Sequence, residues 1–125
     1  MPISYRIDVE HYLVLTTASG RLTDEDIVQH KARLVRDTAF KSGMKELSDI
    51  RGVEQLDVTP AGIMEMVSQD AKDSTTVASH QLALVVSKEV AYGMARMYQS
   101  LTKPNIETIA VFRDIDEARA WLQLK

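Results

Sequence analysis

The alternation of hydrophobic and polar residues predicts a β-hairpin at the start of the chain. Residues 4–9 alternate apolar and polar side chains, which is the pattern of a half-exposed strand at a sheet edge. A tight turn at residues 10–11 leads into a second segment, residues 12–19, that is rich in β-forming residues. Gly20 then interrupts the pattern, so we expect the second strand to end there.

After the hairpin the spacing of apolar residues becomes helical, and capping residues mark the start of each of the first two helices. Thr23 precedes three acidic residues and an amphipathic stretch to about Arg36, so it is a suitable N-cap for a first helix. Thr59 and Pro60 open a second helix, because the first helical position does not need the amide N–H that Pro lacks. We expect the apolar stripe of each helix to pack on a sheet.

The rest of the chain continues to alternate between strands and helices. Ser87 is the expected cap of a third helix over residues 89–101, and Asp114, with Glu117 three residues later, forms a capping box for a fourth helix. Residues 73–76 are polar and are predicted to form a loop. The three remaining strands are predicted at residues 45–50, 82–86 and 107–112.

The element order ββαβαβαβα predicts a single-domain α/β fold. Strands that alternate with helices favour parallel neighbours joined by right-handed crossovers, whereas the hairpin makes the first strand antiparallel. We therefore expect a five-stranded mixed sheet with four helices. The 125 residues are enough for one domain with its own core, so residues 1–125 are expected to form one unit.

Composition argues against several classes of function. The net charge of −3 lacks the basic excess that nucleic-acid binding requires. The absence of cysteine removes disulfides, thiolate chemistry and cysteine-based metal sites, and it fits a reducing compartment. The longest apolar run, residues 82–86, is too short to span a bilayer, and the first residues lack the pattern of a signal peptide. We expect a cytoplasmic protein without a transmembrane segment.

Catalytic and metal-binding motifs are not found in the sequence. The three histidines, His11, His30 and His80, fall in a turn, on a helix and before a strand, so nothing places two of them at the spacing of metal ligands. A nucleophile–base pairing, a Gly-rich phosphate loop and a zinc motif are also missing. We predict no catalytic residue, no metal and no cofactor.

Cations follow three of the predicted parallel strands. Arg51 follows the third strand, Lys88 the fourth and Arg113 the fifth. The carboxyl ends of parallel strands meet at one sheet edge, where helix N-termini also point, so these groups suit a phosphate or carboxylate. The predicted anion site consists of Arg51, Thr59, Lys88 and Arg113. The alternative is that the cations are solvated and paired with nearby aspartates, while Thr59 only caps its helix.

The third predicted helix has an apolar stripe broader than a surface helix needs. Four of its residues, Met94, Met97, Tyr98 and Leu101, carry large side chains on this stripe. Methionines are adaptable and recur at binding surfaces. The stripe predicts core packing, a homodimer interface or one wall of an apolar pocket, and the sequence leaves these alternatives open.

The third strand and the helix after it contain Asp-Ile at residues 49–50, Gly-Val at 52–53 and Asp-Val-Thr-Pro at 57–60. These segments resemble the STAS superfamily, which has the fold of the SpoIIAA-like anti-sigma-factor antagonists. In that family a strand ends in Asp-Leu, a Gly-Val follows, and Asp-Ser-Ser-Gly opens a helix. Thr59 stands where the family carries a phosphorylated serine, so the resemblance implies a phosphosite there. Its two neighbours are Val and Pro where the family has Ser and Gly.

The chain as a whole is more similar to a bacterial branch of this superfamily described as STAS/SEC14-like. Residues 20–26, Gly-Arg-Leu-Thr-Asp-Glu-Asp, match the run that opens the first helix of that branch. Residues 112–114, Phe-Arg-Asp, and 117–122, Glu-Ala-Arg-Ala-Trp-Leu, match its last strand end and last helix. The resemblance covers nearly the whole chain and implies a SpoIIAA-like fold. The similarity to SEC14-like proteins implies an apolar or lipid ligand.

Three functional hypotheses follow. The leading one is a non-enzymatic STAS-type regulatory or ligand-binding module that acts through a protein partner or a small anionic ligand near Arg51, Thr59 and Lys88, with a homodimer as a further expectation. The alternative is a carrier of a lipid or small apolar ligand held between the methionine-bearing helices. The third is an enzyme, which would have to assemble its site from Asp49, Arg51 and Tyr98.

Overall fold

The computed structural model describes residues 2–124, and within them it contains five strands and five helices. In chain order these are β1 (Ile3–Asp8), β2 (Leu13–Thr23), α1 (Asp24–Arg36), β3 (Lys45–Asp57), α2 (Pro60–Lys72), α3 (Ser74–Val77), β4 (His80–Val85), α4 (Glu89–Leu101), β5 (Glu107–Phe112) and α5 (Ile115–Trp121). One helix more than expected is present: α3, a single turn that the sequence pattern did not predict.

The strands form one mixed sheet in the order β1-β2-β3-β4-β5. β1 pairs with β2 in the antiparallel direction, and each following strand is parallel to its neighbour. Parallel neighbours need a crossover connection; α1 supplies the first, α2 with α3 the second, and α4 the third. The predicted α/β fold with its hairpin and parallel strands is confirmed.

The helices pack on both faces of the sheet. α1, α2 and α4 cover one side, which we call the three-helix face, and α5 packs on the opposite side against β3, β4 and β5. Under α5, Leu47, Ala83 and Val85 contact Ala118 and Leu122. The core on the three-helix face is divided into separate apolar clusters, and polar side chains are buried beside them.

β2 and β3 extend well beyond their predicted ends. The prediction that β2 ends before Gly20 is wrong, since the strand continues through it to Thr23. The prediction that β3 ends at Ile50 is also wrong, since β3 continues to Asp57. Both ends were misplaced because bulges break the simple alternation of apolar and polar residues in this region.

Two extra residues on β3 cause these bulges. Ile50 and Arg51 together lie opposite one residue of β2, Ala18. Farther along, two consecutive residues of β2 pair with the residues on either side of Glu54, so Glu54 is the second extra residue. Gly20, at the second shift, has a φ of +70°, a left-handed conformation that glycine adopts without strain. The strand therefore passes through the glycine instead of stopping at it.

The carbonyl groups of Arg51 and Glu54 accept hydrogen bonds from the segment after β4. β4 pairs with β3 only over residues 45–49. Beyond that region the Ser87 hydroxyl donates to the Arg51 carbonyl at 3.3 Å, and the Lys88 ammonium donates to the Glu54 carbonyl. The prediction that Ser87 caps α4 is wrong: the N-cap position is Lys88, and the Ser87 hydroxyl is used on β3 instead.

The loop predicted at residues 73–76 is wrong as well, because α3 forms there. Its last residue, Val77, is completely buried against the core, and this packing favours a turn that polar composition alone does not suggest. Asp114 does cap the last helix, accepting hydrogen bonds from the amides of Asp116 and Glu117.

The N-terminus of α2 is joined to α1. Thr59 is the N-cap, as predicted, and its hydroxyl accepts a hydrogen bond from the Gly62 amide. The Asp24 carboxylate in turn accepts from the Thr59 amide at 2.7 Å and from the Thr59 hydroxyl at 2.5 Å. A Cβ on Gly62 would lie 2.1 Å from Asp24 Oδ1, so this glycine permits the close approach of the two helices.

Candidate functional site

Arg51, the first residue of the predicted anion site, is paired with Asp49. Its Nε and Nη2 atoms donate to the two carboxylate oxygens of Asp49, each at 2.8 Å. These hydrogen bonds hold the pKa of the Asp49 carboxyl below its usual range. An anion at Arg51 would have to compete with this bidentate carboxylate.

The other residues of the predicted anion site also have partners within the chain. Arg113 Nη2 donates to Glu89 Oε1 at 2.8 Å, and its guanidinium lies 4.0 Å from the centroid of the Tyr92 ring. Lys88 donates to a carbonyl of β3, and Thr59 is bonded to Asp24 and caps α2. The anion site and the modification of Thr59 stay predictions, and each would require the present partners to be displaced.

The structure separates the four large residues predicted on the third helix, now α4. Met94 and Tyr98 line a cavity, and Met97 is partly buried against the core. Leu101 is 45% exposed at the end of α4. The pocket alternative therefore has a geometric counterpart at Met94 and Tyr98, while the homodimer stays a prediction.

The cavity has a volume of about 100 Å³ and lies between the three-helix face of the sheet and α1, α2 and α4. Of the nineteen described residues that line it, fourteen are aliphatic residues or methionines, among them Leu82, Leu84, Ile63 and Met66. Leu84 keeps accessible surface although β4 is an interior strand of the sheet, because the cavity lies in front of it. The cavity walls therefore suit hydrocarbon.

The remaining five lining residues are polar or ionisable; Ser48 follows Glu46 by two residues on the same face of β3, and we call the five together the polar end. Glu46 and Ser48 project from β3, and α1 and α4 supply the other members. The five residues are His30, Lys31, Glu46, Ser48 and Tyr98. They lie toward the beginnings of the parallel strands, the sheet edge opposite to the predicted anion site.

Behind the polar end is a network of buried ionisable side chains. Lys31 from α1 donates to Glu107 Oε2 at 2.8 Å and lies 3.6 Å from Asp70 Oδ1 of α2. Burial alone would lower the pKa of Lys31, but the charges of Glu107, Asp70 and Glu46 outweigh it and hold the pKa above its ordinary value. The ammonium is therefore charged although the residue is only 4% exposed.

Glu46 is the second centre of the network and lies between two histidines. His80 Nε2 is 3.0 Å from Glu46 Oε1, and His30 Nε2 is 3.5 Å from Glu46 Oε2. The Thr16 hydroxyl donates to Oε2 at 2.7 Å. Burial acts to raise the pKa of Glu46, but the hydrogen bonds and charges of the two histidines bring it well below its usual range. Glu46 is therefore a buried carboxylate whose two oxygens both have partners.

Tyr98 links the two remaining carboxyl groups of the network. Its hydroxyl lies at hydrogen-bond distance from Asp70 Oδ2 and 3.1 Å from Glu107 Oε1, yet it has one hydrogen to donate. A proton on Asp70 resolves this, because Asp70 then donates to Tyr98 and Tyr98 donates to Glu107. Burial, aided by the Glu107 charge, raises the pKa of Asp70 to about 6 despite the proximity of Lys31.

This network was not predicted from the sequence, although one signal for it was present. Lys31 occupies a core-facing position of α1, four residues after Ile27 and three before Leu34. A lysine at such a position needs a buried partner, and acidic residues inside β3 and at the start of β5 could supply it. His30 and His80, which looked scattered in the sequence, both approach Glu46.

The chemistry of the site suits non-covalent binding of a small molecule. The apolar walls can take a hydrocarbon group, while the polar end presents hydrogen-bonding groups. Among residues 2–124, no group of three His, Asp or Glu side chains is arranged to hold a metal ion. The cation that lies among the buried carboxylates is Lys31 itself.

None of the helices within residues 2–124 is long and apolar enough to cross a bilayer.

Comparison with known proteins places the chain in a family. The family model described as SpoIIAA-like matches residues 13–123. A crystal structure of an uncharacterised protein of the DUF3478 family from Shewanella loihica PV-4, which has a SpoIIAA-like fold, is similar with a TM-score of 0.60. That similarity covers 96% of this chain and 91% of the other at 20% identity, so it supports the fold. No curated protein has a significantly similar sequence. The match over residues 13–123 shows that the chain belongs to the SpoIIAA-like family.

Proposed function

We propose that this SpoIIAA-like module binds one small, mainly apolar molecule in the cavity between the sheet and α1, α2 and α4, and that it does so without chemical turnover. The observation that carries the proposal is the cavity itself, whose lining is apolar except at one polar end. Ligand sites in proteins typically combine apolar walls with a few polar groups that orient the ligand. The proposal follows the carrier hypothesis drawn from the sequence.

The volume limits the size of the ligand. An engineered apolar cavity of about 150 Å³ holds a benzene molecule. The present cavity, about 100 Å³, is smaller, so benzene or a short hydrocarbon chain sets the upper limit of what it takes without movement of its walls. A longer lipid would require α2 and α4 to move apart. Small apolar molecules are therefore the first probes to use.

A titration with benzene, followed by amide NMR spectra, tests the proposal. We expect saturable shifts at residues around the cavity, such as Leu84 and Met94, and no comparable shifts under α5. Replacement of Ala95, a buried cavity residue on α4, by leucine should abolish these shifts because the added carbons fill the space.

The matched control is Ala120→Leu, which adds the same carbons at an exposed position of α5 on the opposite face. This variant should bind benzene as the wild type does. Absence of any saturable shift in the wild type would reject the proposal, and so would shifts that persist unchanged in Ala95→Leu.

A further inference from the structure

The polar end of the cavity carries a hydroxyl that the protein does not use. Ser48 is 5% exposed and lines the cavity, and no group within residues 2–124 forms a hydrogen bond with its side chain. Its oxygen is not among the fully shielded atoms that lack a partner, which in the described residues belong to Gln69 and Asp70, so the hydroxyl keeps surface toward the cavity. The unpaired Ser48 hydroxyl is therefore a candidate contact for a ligand.

Other groups at the polar end offer donors more than acceptors. The Lys31 ammonium has three N–H groups, and only one short hydrogen bond to a carboxylate is formed. In contrast, the oxygens of Glu46 already receive the Thr16 hydroxyl and the His80 ring. A ligand oxygen can therefore accept a hydrogen bond from Ser48 or Lys31, and the Ser48 hydroxyl also has lone pairs that can accept from a ligand hydroxyl.

The fixed charges at the polar end already have partners. Lys31 lies against Glu107, and the oxygens of Glu46 face the Thr16 hydroxyl and the His80 ring. A ligand carboxylate would add a negative charge beside these buried acids, and a ligand ammonium would enter beside Lys31. Either ion would lose its hydration without gaining a free counter-charge, which is costly in a buried site.

We propose that the cavity takes an uncharged ligand with one oxygen head group, of the alcohol, phenol, aldehyde or ketone class, whose oxygen accepts a hydrogen bond from Ser48. The inference rests on the proposed function, since it names the head group of the ligand for the same cavity. The hydrocarbon part of the ligand contacts the apolar walls, and its oxygen lies at the polar end near Ser48 and Lys31.

Three probes of equal length test the head group: 1-butanol, butyrate and butylamine, each titrated at pH 7.5 and followed by amide NMR. Benzene serves as the probe without a head group. We expect 1-butanol to bind at least tenfold more tightly than either charged probe. Ser48→Ala should weaken 1-butanol by roughly three- to tenfold, the usual effect of one hydrogen bond, and leave benzene binding unchanged.

The control variant is Ser100→Ala, which removes an exposed hydroxyl on α4 that donates to the Met97 carbonyl. It should leave the binding of all probes unchanged. Binding of butyrate or butylamine as tight as that of 1-butanol would overturn the uncharged head group. Unchanged 1-butanol affinity in Ser48→Ala would overturn the role of Ser48. Failure of benzene to bind, by contrast, would contradict the proposed function rather than this inference.

Discussion

Asp70 is the carboxyl of the buried network whose pKa burial raises, to about 6. It is 1% exposed, and the Tyr98 hydroxyl and the Lys31 ammonium both lie beside it. Its Oδ1 atom has no hydrogen-bond partner among the described residues. An ionised carboxylate is poorly satisfied in such a place, whereas a protonated one can donate to Tyr98. Asp70 therefore makes the stability of the fold depend on pH.

Replacement of Asp70 by asparagine should stabilise the protein increasingly as the pH rises. Because the folded-state pKa of Asp70, about 6, lies above its ordinary value of 3.8, the stability it contributes is complete below pH 3.8 and is lost as the pH rises through 6. Asparagine has no such proton to lose. Relative to the wild type, the free energy of unfolding of Asp70→Asn should increase by up to about 3 kcal/mol between pH 4 and pH 7.5.

Urea unfolding of both proteins at the two pH values measures this difference. Asp116→Asn, at an exposed position of α5, is the matched control, because it makes the same substitution at the surface. A difference between Asp70→Asn and the wild type that is the same at both pH values would contradict the prediction.

At the scale of elements, the sequence predicted the long helices and the strands but not where β2 and β3 end. Helix starts are set by local capping residues such as Thr23 and Thr59, so they can be read from the chain. Strand ends depend on which neighbour supplies hydrogen bonds. The bulges of β3 follow from its register against β2. That register cannot be read from the local alternation of apolar and polar residues.

The contact between α1 and α2 predicts an unusual response at Gly62. Alanine normally stabilises the interior of a helix by about 1 kcal/mol relative to glycine. Gly62→Ala should instead lower the free energy of unfolding by about 1–2 kcal/mol, because its Cβ would displace the Asp24 side chain that is bonded to Thr59. Thermal or urea unfolding measures the change.

Two comparisons make this test specific. Gly93→Ala on α4, where an added Cβ meets no atom within 4 Å, should show the normal stabilisation of about 1 kcal/mol. The Asp24→Ala variant lacks the carboxylate atoms that a Cβ at Gly62 would overlap most closely. In that variant Gly62→Ala should therefore lower the free energy of unfolding much less. An equal cost in both backgrounds would show that the contact with Asp24 is not the cause.

At the scale of the whole molecule, the fold was predictable, a pocket wall on the third predicted helix was one of three alternatives, and the buried network was not predictable. The order of strands and helices alone limits the topology to a mostly parallel sheet with helices on its faces. The buried network, however, joins Lys31, Glu46, Asp70, Tyr98 and Glu107, which come from five different elements. Contact between these side chains depends on strand register and helix packing. The sequence alone could only show that Lys31 is a charged residue at a core-facing position of its helix.

The hydrogen bonds at the bulges of β3 bear on association between copies of the chain. Where β3 extends past β4, its open side would otherwise offer backbone carbonyls to a strand of another molecule, the usual route to edge-to-edge aggregation. Ser87 and Lys88 occupy two of those carbonyls, at Arg51 and Glu54. We expect the double variant Ser87→Ala, Lys88→Ala to self-associate at concentrations where the wild type does not.

Sedimentation velocity over a concentration series measures this, with Lys103→Ala, an exposed lysine outside this region, as the control for lost charge. A double variant that sediments like the control would show that the two side chains do not protect the strand. In this interpretation Lys88, which the sequence suggested as a cation for a ligand, instead prevents the extended part of β3 from pairing with a strand of a second copy of the chain.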